Sequence, residues 1–278
     1  MTHRGRARLR KAVDGAVMAV IAVVALFPIL WGFTTSLKAT NRILEFPPRF
    51  IPDDPTLEHY RVLVETGVTR YILNSGLVSI LTVVVCLTIG VLSGYALARF
   101  TFAGKSVVMF AIVAVMSIPL VSLMVPTYTF LAWLGILDTR TSLVLLYTAY
   151  QLPVTVWILY GFFQTIPPQM EQAAQIDGYS RIEALYKVVV PLSKPGMVAA
   201  GLFVLNFAWN DFVVALVMTS SDAVRTLPFA IYNYLGYYGR EWGPLTAASI
   251  ISIVPVIVLF IMFQRYFLSG ITGGSVKG

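Results

Sequence analysis

Long stretches without a charged residue constrain this chain more than any other feature of its sequence. Tyr71–Ala98 contains no Asp, Glu, Lys or Arg, and neither does Trp242–Gln264. A helix needs about 20 apolar residues to cross the hydrocarbon core of a bilayer. Such long segments predict transmembrane helices rather than the short strands of a membrane barrel. The mean hydropathy of +0.79 agrees with an integral membrane protein.

The sequence therefore predicts an all-α integral membrane protein with six transmembrane helices. The predicted spans are Ala16–Phe33, Tyr71–Ala98, Ser106–Leu137, Thr141–Met170, Pro195–Thr219 and Trp242–Gln264. The alternative for the first span is a cleaved signal peptide, but its apolar run is too long for one. Prolines at positions 28, 119, 126, 153 and 255 are expected to kink the helices where backbone groups line a cavity.

The distribution of basic residues predicts the orientation of the chain. An even number of spans places both termini on one side, and the segments on that side hold most of the 20 Lys and Arg residues. By the positive-inside rule both termini are cytoplasmic, and Lys38–Arg70 is external. The N-terminal run RGRARLRK then faces the anionic head groups of membrane lipids, and nucleic acid is not an expected partner.

The predicted domains follow from this topology. Residues 1–12 form a basic cytoplasmic tail, residues 13–267 the membrane domain, and residues 268–278 a second cytoplasmic tail. The membrane domain includes a cytoplasmic loop at residues 165–195, between the fourth and fifth helices.

That loop, which we call the knob (residues 165–195), has the pattern of two short helices. Met170–Ile176 favours a first helix with small alanines on one face, and Gly178 favours a turn. Ser180 and Glu183 match a capping box that begins a second helix, and Pro191 and Pro195 are expected to end it. A plain linker between spans would need none of these features.

The knob resembles the EAA loop of permeases in binding-protein-dependent ABC importers. The matching positions are the alanine pair Ala173 and Ala174, then Asp177 and Gly178, then Pro191. Gln172, Val188 and Val190 stand where the family pattern has Glu, Ile and Leu. The segments FPILWGFTTSLK, GYALARFTFAGK, FAWNDFVVAL and FQRYFLSGITGGSVKG extend the resemblance to the carbohydrate-importer branch, particularly its maltose-type, six-span permease.

The resemblance implies a set of partners. In that family two different permeases pair around a central path, two ATPase subunits dock on the EAA loops, and an extracytoplasmic binding protein delivers the substrate. ATP and Mg are then expected on the ATPases, and this chain binds no cofactor or metal. The residues assigned to ATPase coupling are Glu171, Gln172, Ala173, Ala174, Asp177, Gly178 and Pro191.

Two further groups of residues are candidates for function. The resemblance places Gly273, Gly274 and Lys277 of the flexible tail at the ATPase interface, the alternative being a disordered end. Polar residues also interrupt the fifth span, and an acid at membrane depth is a candidate functional residue. Substrate contact, a polar gate and helix packing stay open for this group, which comprises Asn206, Trp209, Asn210 and Asp211.

An aromatic external segment at residues 228–242 has two interpretations. Its rings are either an interfacial belt or a contact for the binding protein or an arriving sugar. They belong to Tyr232, Tyr234, Tyr237, Tyr238 and Trp242.

The sequence thus predicts the permease of an ATP-driven importer of a di- or oligosaccharide, in a bacterial or archaeal cell membrane. A glycerol-phosphate-type or amino-sugar ligand is the alternative substrate. A proton-coupled secondary transporter is a less favoured mechanism, because the chain shows no repeat and only one deep acid, Asp211. An enzyme is not expected, since paired catalytic groups are missing from the predicted spans.

Overall fold

The computed structural model describes residues 3–236 and 240–273, and within these ranges the chain is helical with no β-strand. The helices are α1 (His3–Ser36), α2 (Glu58–Glu65), α3 (Val68–Arg99), α4 (Lys105–Met116), α5 (Met124–Trp133), α6 (Arg140–Thr165), α7 (Pro168–Ile176), α8 (Arg181–Ala184), α9 (Val190–Leu192), α10 (Lys194–Asn210), α11 (Val213–Met218), α12 (Leu227–Asn233) and α13 (Trp242–Gly273). A π-helical segment, Leu185–Val189, joins α8 to α9.

Four helices are long and apolar enough to cross a bilayer without a break. They are Lys11–Ser36 of α1, all of α3, all of α6 and Trp242–Gln264 of α13. Two further candidates are bent helix pairs, in which Lys105–Met116 meets Leu120–Trp133 at 98° and Arg181–Leu192 meets Lys194–Asn210 at 79°. The described chain therefore has four to six candidate spans, depending on whether each bent pair crosses once.

Ser106–Leu137 does not form one continuous helix, but the kink predicted at Pro119 is confirmed as a break. α4 ends at Met116, and the chain turns before a 3-10 segment, Leu120–Leu123, leads into α5. Pro119 has an extended backbone, with φ −62° and ψ 127°. A proline cannot donate the helical hydrogen bond and disfavours helical geometry in the residue before it. Local chemistry therefore breaks this segment despite its uniform apolarity.

The chain divides into two compact units. One comprises Met1–Val68 with Ile231–Pro255, and the other comprises Thr69–Ala230 with Val256–Gly278. In the first unit, side-chain contacts hold the segment that follows α1. Arg42 pairs with Asp53 and Asp54 at 3.4 and 3.3 Å, and His59 Nε2 lies 2.8 Å from the carbonyl oxygen of Lys38.

The second unit has a core of interlocked helices. Gly90 and Gly94 on α3 allow the close approach of α6, since a Cβ at Gly90 would lie 2.6 Å from Cγ2 of Thr155. At Gly94 it would lie 3.1 Å from the backbone nitrogen of Tyr160. Small residues four apart commonly allow such contacts between membrane helices. The spacing of Gly90 and Gly94 is therefore a local sequence signal for this helix contact.

The last helix is longer than expected. The sequence predicted that the chain leaves the helix near residue 267, but α13 continues to Gly273. Glycine lowers helix stability by about 1 kcal/mol per residue without forbidding the helix. The glycine content of this end therefore does not terminate it. Gly274 and Lys277 lie outside the described residues.

Candidate functional site

The knob has the two-helix structure that its turn residues predict. α7 ends in a Schellman motif, in which Gly178 N donates to Gln175 O at 3.1 Å and Tyr179 N donates to Ala174 O at 3.1 Å. Gly178 has φ +94°, a conformation that favours glycine. The chain then enters α8, so local chemistry sets the corner between the two helices.

The capping box at the start of α8 is confirmed. Ser180 Oγ accepts from Glu183 N at 3.3 Å, and the Ser180 backbone N–H donates to the Glu183 carboxylate at 2.8 Å. This backbone donor holds the pKa of Glu183 below its ordinary value. The end of α7 and the start of α8 are therefore both specified by residues that lie close together in the sequence.

The second helix does not end at Pro191 itself, but it does end before Pro195. The helical path runs from α8 through the π segment into α9, where Pro191 occupies one of the first two positions. A proline inside a continuous helical path removes one backbone donor, and this proline follows directly on the π segment, after Val190 N donates to Leu185 O. The path turns instead at Ser193, which precedes α10.

The inner face of the knob packs against its own chain. Glu171 is 4% exposed and Ala174 is 6% exposed. The Glu171 carboxylate pairs with Arg99 and accepts from the Tyr95 hydroxyl at 3.0 Å. This face of α7 is filled by residues of the permease itself, and the assignment of Glu171 and Ala174 to ATPase coupling stays a prediction.

The outer face of the knob is exposed and carries several apolar side chains among polar ones. Ile176 is 86% exposed and Ile182 is 67% exposed. Gln172 and Ala173 are exposed on the same helix as Ile176. Other exposed apolar side chains of the knob are Met170, Tyr179 and Tyr186. Clusters of exposed apolar residues mark interaction surfaces, so this outer face is a candidate docking surface.

Asp211 caps a helix break. It ends α10 in an extended conformation, and its Oδ2 accepts from the backbone nitrogens of Val214 and Ala215 at 3.0 and 3.2 Å. The same oxygen accepts from the Tyr147 hydroxyl at 2.9 Å. Asp side chains commonly satisfy free backbone donors where a helix begins. These bonds support the packing role among the alternatives for Asp211.

The other three polar candidates of this segment divide between two environments. Trp209 is 6% exposed and belongs to the packed side of α10. Asn206 and Asn210 are exposed on the opposite side, where Asn210 Nδ2 donates to Asn206 Oδ1 at 3.1 Å. Asn206 also lines an open groove of about 210 Å³ together with apolar residues of α10 and α13. The structure therefore brings the two asparagines together and separates them from Trp209.

A polar cluster that sequence analysis missed holds the segment between α11 and α12. Asn74 donates to the carbonyl oxygens of Ala223 and Arg225 at 3.0 and 2.9 Å. Arg140 donates to Asn74 Oδ1 at 2.9 Å. Asp138 Oδ1 accepts from the backbone nitrogen of Ser220 at 2.9 Å. These partners lie far apart in sequence, so no local pattern identifies the cluster.

The aromatic segment is described in part. Tyr237 and Tyr238 lie outside the described residues. Tyr234 hydroxyl lies 2.9 Å from Thr66 Oγ1, and the Arg240 guanidinium lies 5.3 Å from the ring centre of Trp242. A cavity of about 430 Å³ in the first unit is lined by this arginine, this tryptophan and His59.

The fold and these sites can be compared with known proteins. Residues 86–272 match the family described as binding-protein-dependent transport system inner membrane component. The chain belongs to this family. The family predicted from the motifs is thus confirmed, and with it the placement of the chain as a multi-pass protein of the cell membrane.

Individual relatives match along nearly their whole length. The permease is 39% identical to the sulfoquinovosyl glycerol transport system permease protein of Agrobacterium fabrum, over 94% of this chain and 92% of the relative. It is 35% identical to the trehalose transport system permease protein of Mycobacterium tuberculosis, over 97% and 99%. A solved bacterial ABC transporter involved in the import of alginate shares the fold, with a TM-score of 0.81 and 21% identity, over 96% and 99% of the two chains.

In the part of the permease that the structure describes, no group of three or more His, Cys, Asp or Glu side chains is arranged to hold a metal ion.

Proposed function

We propose that this chain is one of two permease subunits of an ATP-driven importer. It has six spans, with the bent pair α4–α5 as the third and Pro195–Thr219 as the fifth, and both termini and the knob lie in the cytoplasm. Two ATPase subunits carry ATP and Mg and dock on the knobs, and an extracytoplasmic binding protein delivers the substrate. The tail after α13, with Gly274 and Lys277, reaches the ATPase interface in this proposal.

The observation that carries the proposal is the outer face of the knob. Ile176 and Ile182 expose most of their side chains to solvent in the isolated chain. Exposed apolar groups of this kind gain free energy when a partner covers them, at about 25 cal/mol per Å² of apolar surface. The knob is held at its corner by Gly178 and Ser180, so a partner that moves the knob moves a defined structure.

The exposed asparagines support a path shared with a second permease. Asn206 and Asn210 project from an otherwise apolar helix. Polar side chains at membrane depth rarely face lipid and usually face a protein interior or a water-filled cavity. We therefore assign them to the translocation path or to the contact with the second permease. Trp209 and Asp211 do not line the path in this proposal. Trp209 packs on the buried side of α10, and Asp211 caps the helix break and binds Tyr147.

We propose a di- or oligosaccharide as the substrate. Relatives named for trehalose, trehalose/maltose or diacetylchitobiose transport disaccharides, whereas the relative named for sulfoquinovosyl glycerol transports a single sugar joined to glycerol. Glycerol-phosphate-type and amino-sugar ligands are the alternatives. Uptake into proteoliposomes, with ATP inside and a proton ionophore present, separates the proposed mechanism from proton coupling, because the ionophore abolishes only proton-coupled uptake.

Copurification tests the docking surface directly. Ile176→Glu should release the ATPase subunits from the purified complex, because a buried unpaired carboxylate is strongly disfavoured. Ile51→Glu is the matched control, since Ile51 is 73% exposed but lies in the segment proposed to be external. Equal ATPase recovery and uptake for wild type and Ile176→Glu would reject the knob as the docking site.

A further inference from the structure

Three side chains attach the knob to the ends of two membrane helices. Arg99 Nε pairs with Glu171 Oε1, and Tyr95 donates to Glu171 Oε2 at 3.0 Å. Arg99 Nη2 also donates to the carbonyl oxygen of Ile166, at the end of α6, at 2.9 Å. We call Tyr95, Arg99, Glu171 and this carbonyl the α3–α7 clamp.

The clamp is buried, and both carboxylate oxygens of Glu171 have a donor on α3. The Arg99 and Glu171 side chains are 12% and 6% exposed. Tyr95 and Arg99 stand four residues apart, so they share one face of α3. Each oxygen of the Glu171 carboxylate receives a donor from α3, so α7 is held at two points and resists rotation about either bond.

Packing alone does not require charges at this position. The clamp adjoins an apolar cluster that includes Phe163, Leu185 and Val189, all essentially without exposed surface. A buried ion pair costs desolvation, and apolar residues of similar volume often replace such a pair without loss of stability. The ion pair adds a fixed orientation of α7 relative to α3, because guanidinium and carboxylate groups bind in a fixed geometry.

We propose that the α3–α7 clamp positions the knob and transmits its displacement to α3, and that clamp and helix move as one rigid piece during transport. This inference rests on the coupling role proposed for the knob. Glu171 then acts toward α3, inside the permease, while the outer face of α7 contacts the ATPase. A displacement of α7 reaches α3 and the end of α6 together, since Arg99 binds both.

The first test replaces the ion pair with an apolar pair. Arg99→Met with Glu171→Met should leave the ATPases bound and hydrolysing ATP, while uptake per ATP hydrolysed falls several-fold. Uptake is measured in proteoliposomes with labelled trehalose, and the sugar that copurifies with the binding protein is the second probe. Arg49→Met with Asp53→Met is the control, because it removes an exposed ion pair outside the knob and should keep the ratio.

The uptake per ATP hydrolysed distinguishes a clamp that transmits motion from one that only stabilises the folded knob. Unchanged uptake per ATP in the Met pair would overturn the inference, and so would release of the ATPases, which would show that the clamp only folds the knob. Failure of the docking proposal is a separate result, since it is read from Ile176→Glu, in which the clamp is intact.

A covalent tether tests whether the clamp stays closed. Arg99→Cys with Glu171→Cys, in a Cys86→Ala background that removes the native thiol, is bridged by a short bifunctional thiol reagent. Bridging should restore uptake per ATP toward the wild-type ratio. If bridging instead abolishes the uptake that remains, the pair must separate during the cycle and the rigid-piece inference is rejected.

Discussion

The hydroxyl of Tyr147 on α6 donates to Oδ2 of Asp211 at the end of α10, at 2.9 Å. Tyr147 has no exposed surface. The same carboxylate oxygen caps the start of the following segment through Val214 and Ala215. A single acidic side chain therefore joins two membrane helices and stabilises the break between α10 and α11.

Asp211→Leu should lower the stability of the permease. The change leaves a buried tyrosine hydroxyl and two backbone N–H groups without their acceptor, at about 1–3 kcal/mol for each unsatisfied group. Asp211→Asn keeps an acceptor and should be milder, and Tyr147→Phe, which removes one donor, should cost about 1 kcal/mol. Thermal unfolding of the purified protein in detergent measures the order. If Asp211→Leu melts like wild type yet transports nothing, its carboxylate is a gate or a ligand contact instead.

Gly178→Ala should destabilise the knob through backbone conformation alone. No atom lies within 4 Å of the position that a Cβ would take, but φ is +94°. A left-handed conformation costs a residue with a side chain about 1–2 kcal/mol. Gly178→Asn should cost less, because asparagine adopts positive φ more readily.

The control for this substitution is Gly161→Ala on α6. Gly161 is equally open but has no positive φ, so alanine there should be neutral or stabilising, by up to about 1 kcal/mol. Detergent melting temperatures and ATPase copurification compare the variants. If Gly178→Ala and Gly161→Ala lower the melting temperature equally, backbone strain at Gly178 is not the cause of the destabilisation.

Acid should weaken the attachment of the segment that follows α11. The backbone hydrogen bond from Ser221 is the main reason that the pKa of Asp138 lies below its ordinary value, and the Ser220 bond adds to it. The folded state binds the proton less well than the unfolded state, so this stabilisation is complete above the ordinary Asp pKa of about 3.9. It is lost as the pH falls through the lower, folded value.

Asp138→Asn should flatten this pH dependence. Asparagine tolerates the φ of 56° at this position and still offers an oxygen acceptor, but it carries no charge. Melting temperatures between about pH 6 and pH 3 compare the two proteins across the ordinary Asp pKa. An identical fall in wild type and Asp138→Asn would assign the acid sensitivity to other carboxylates.

Cysteine labelling tests the proposed topology. In a Cys86→Ala background, a cysteine at Leu57, which is 69% exposed, should react with an impermeant maleimide in intact cells. A cysteine at the exposed Thr101, in the loop between α3 and α4, should react only after the membrane is permeabilised. The reverse pattern would invert the topology and place the knob outside the cell, where no ATPase reaches it.

Local chemistry made several elements predictable. The capping box at Ser180 and Glu183 and the turn at Gly178 depend on residues within one or two turns of each other, so the sequence shows both partners. The charge-free run Tyr71–Ala98 likewise predicts α3 because a bilayer requires apolar length. The helix break near Pro119 was also local, since the proline predicts a kink there, but the uniform apolarity of Ser106–Leu137 did not show that the kink is a full break.

The side of the knob that faces its own chain was not predictable from the sequence. Ala173 and Ala174 are identical side chains at adjacent positions, yet the first is exposed and the second is buried. Helical geometry turns successive residues by about 100°, but it does not state which direction is inward. The packing of α7 against α3 decides that.

The sequence by itself determined that this chain crosses a membrane, which apolar segments are its candidate spans, which family it belongs to and how the knob turns, since each of these depends on neighbouring residues or on total apolar length. Only the tertiary structure decided that Glu171 meets Arg99 and that Asp211 meets Tyr147. These partners are 72 and 64 residues apart in the chain. The distance between such groups is fixed by how whole helices pack, and no local preference of either residue encodes it.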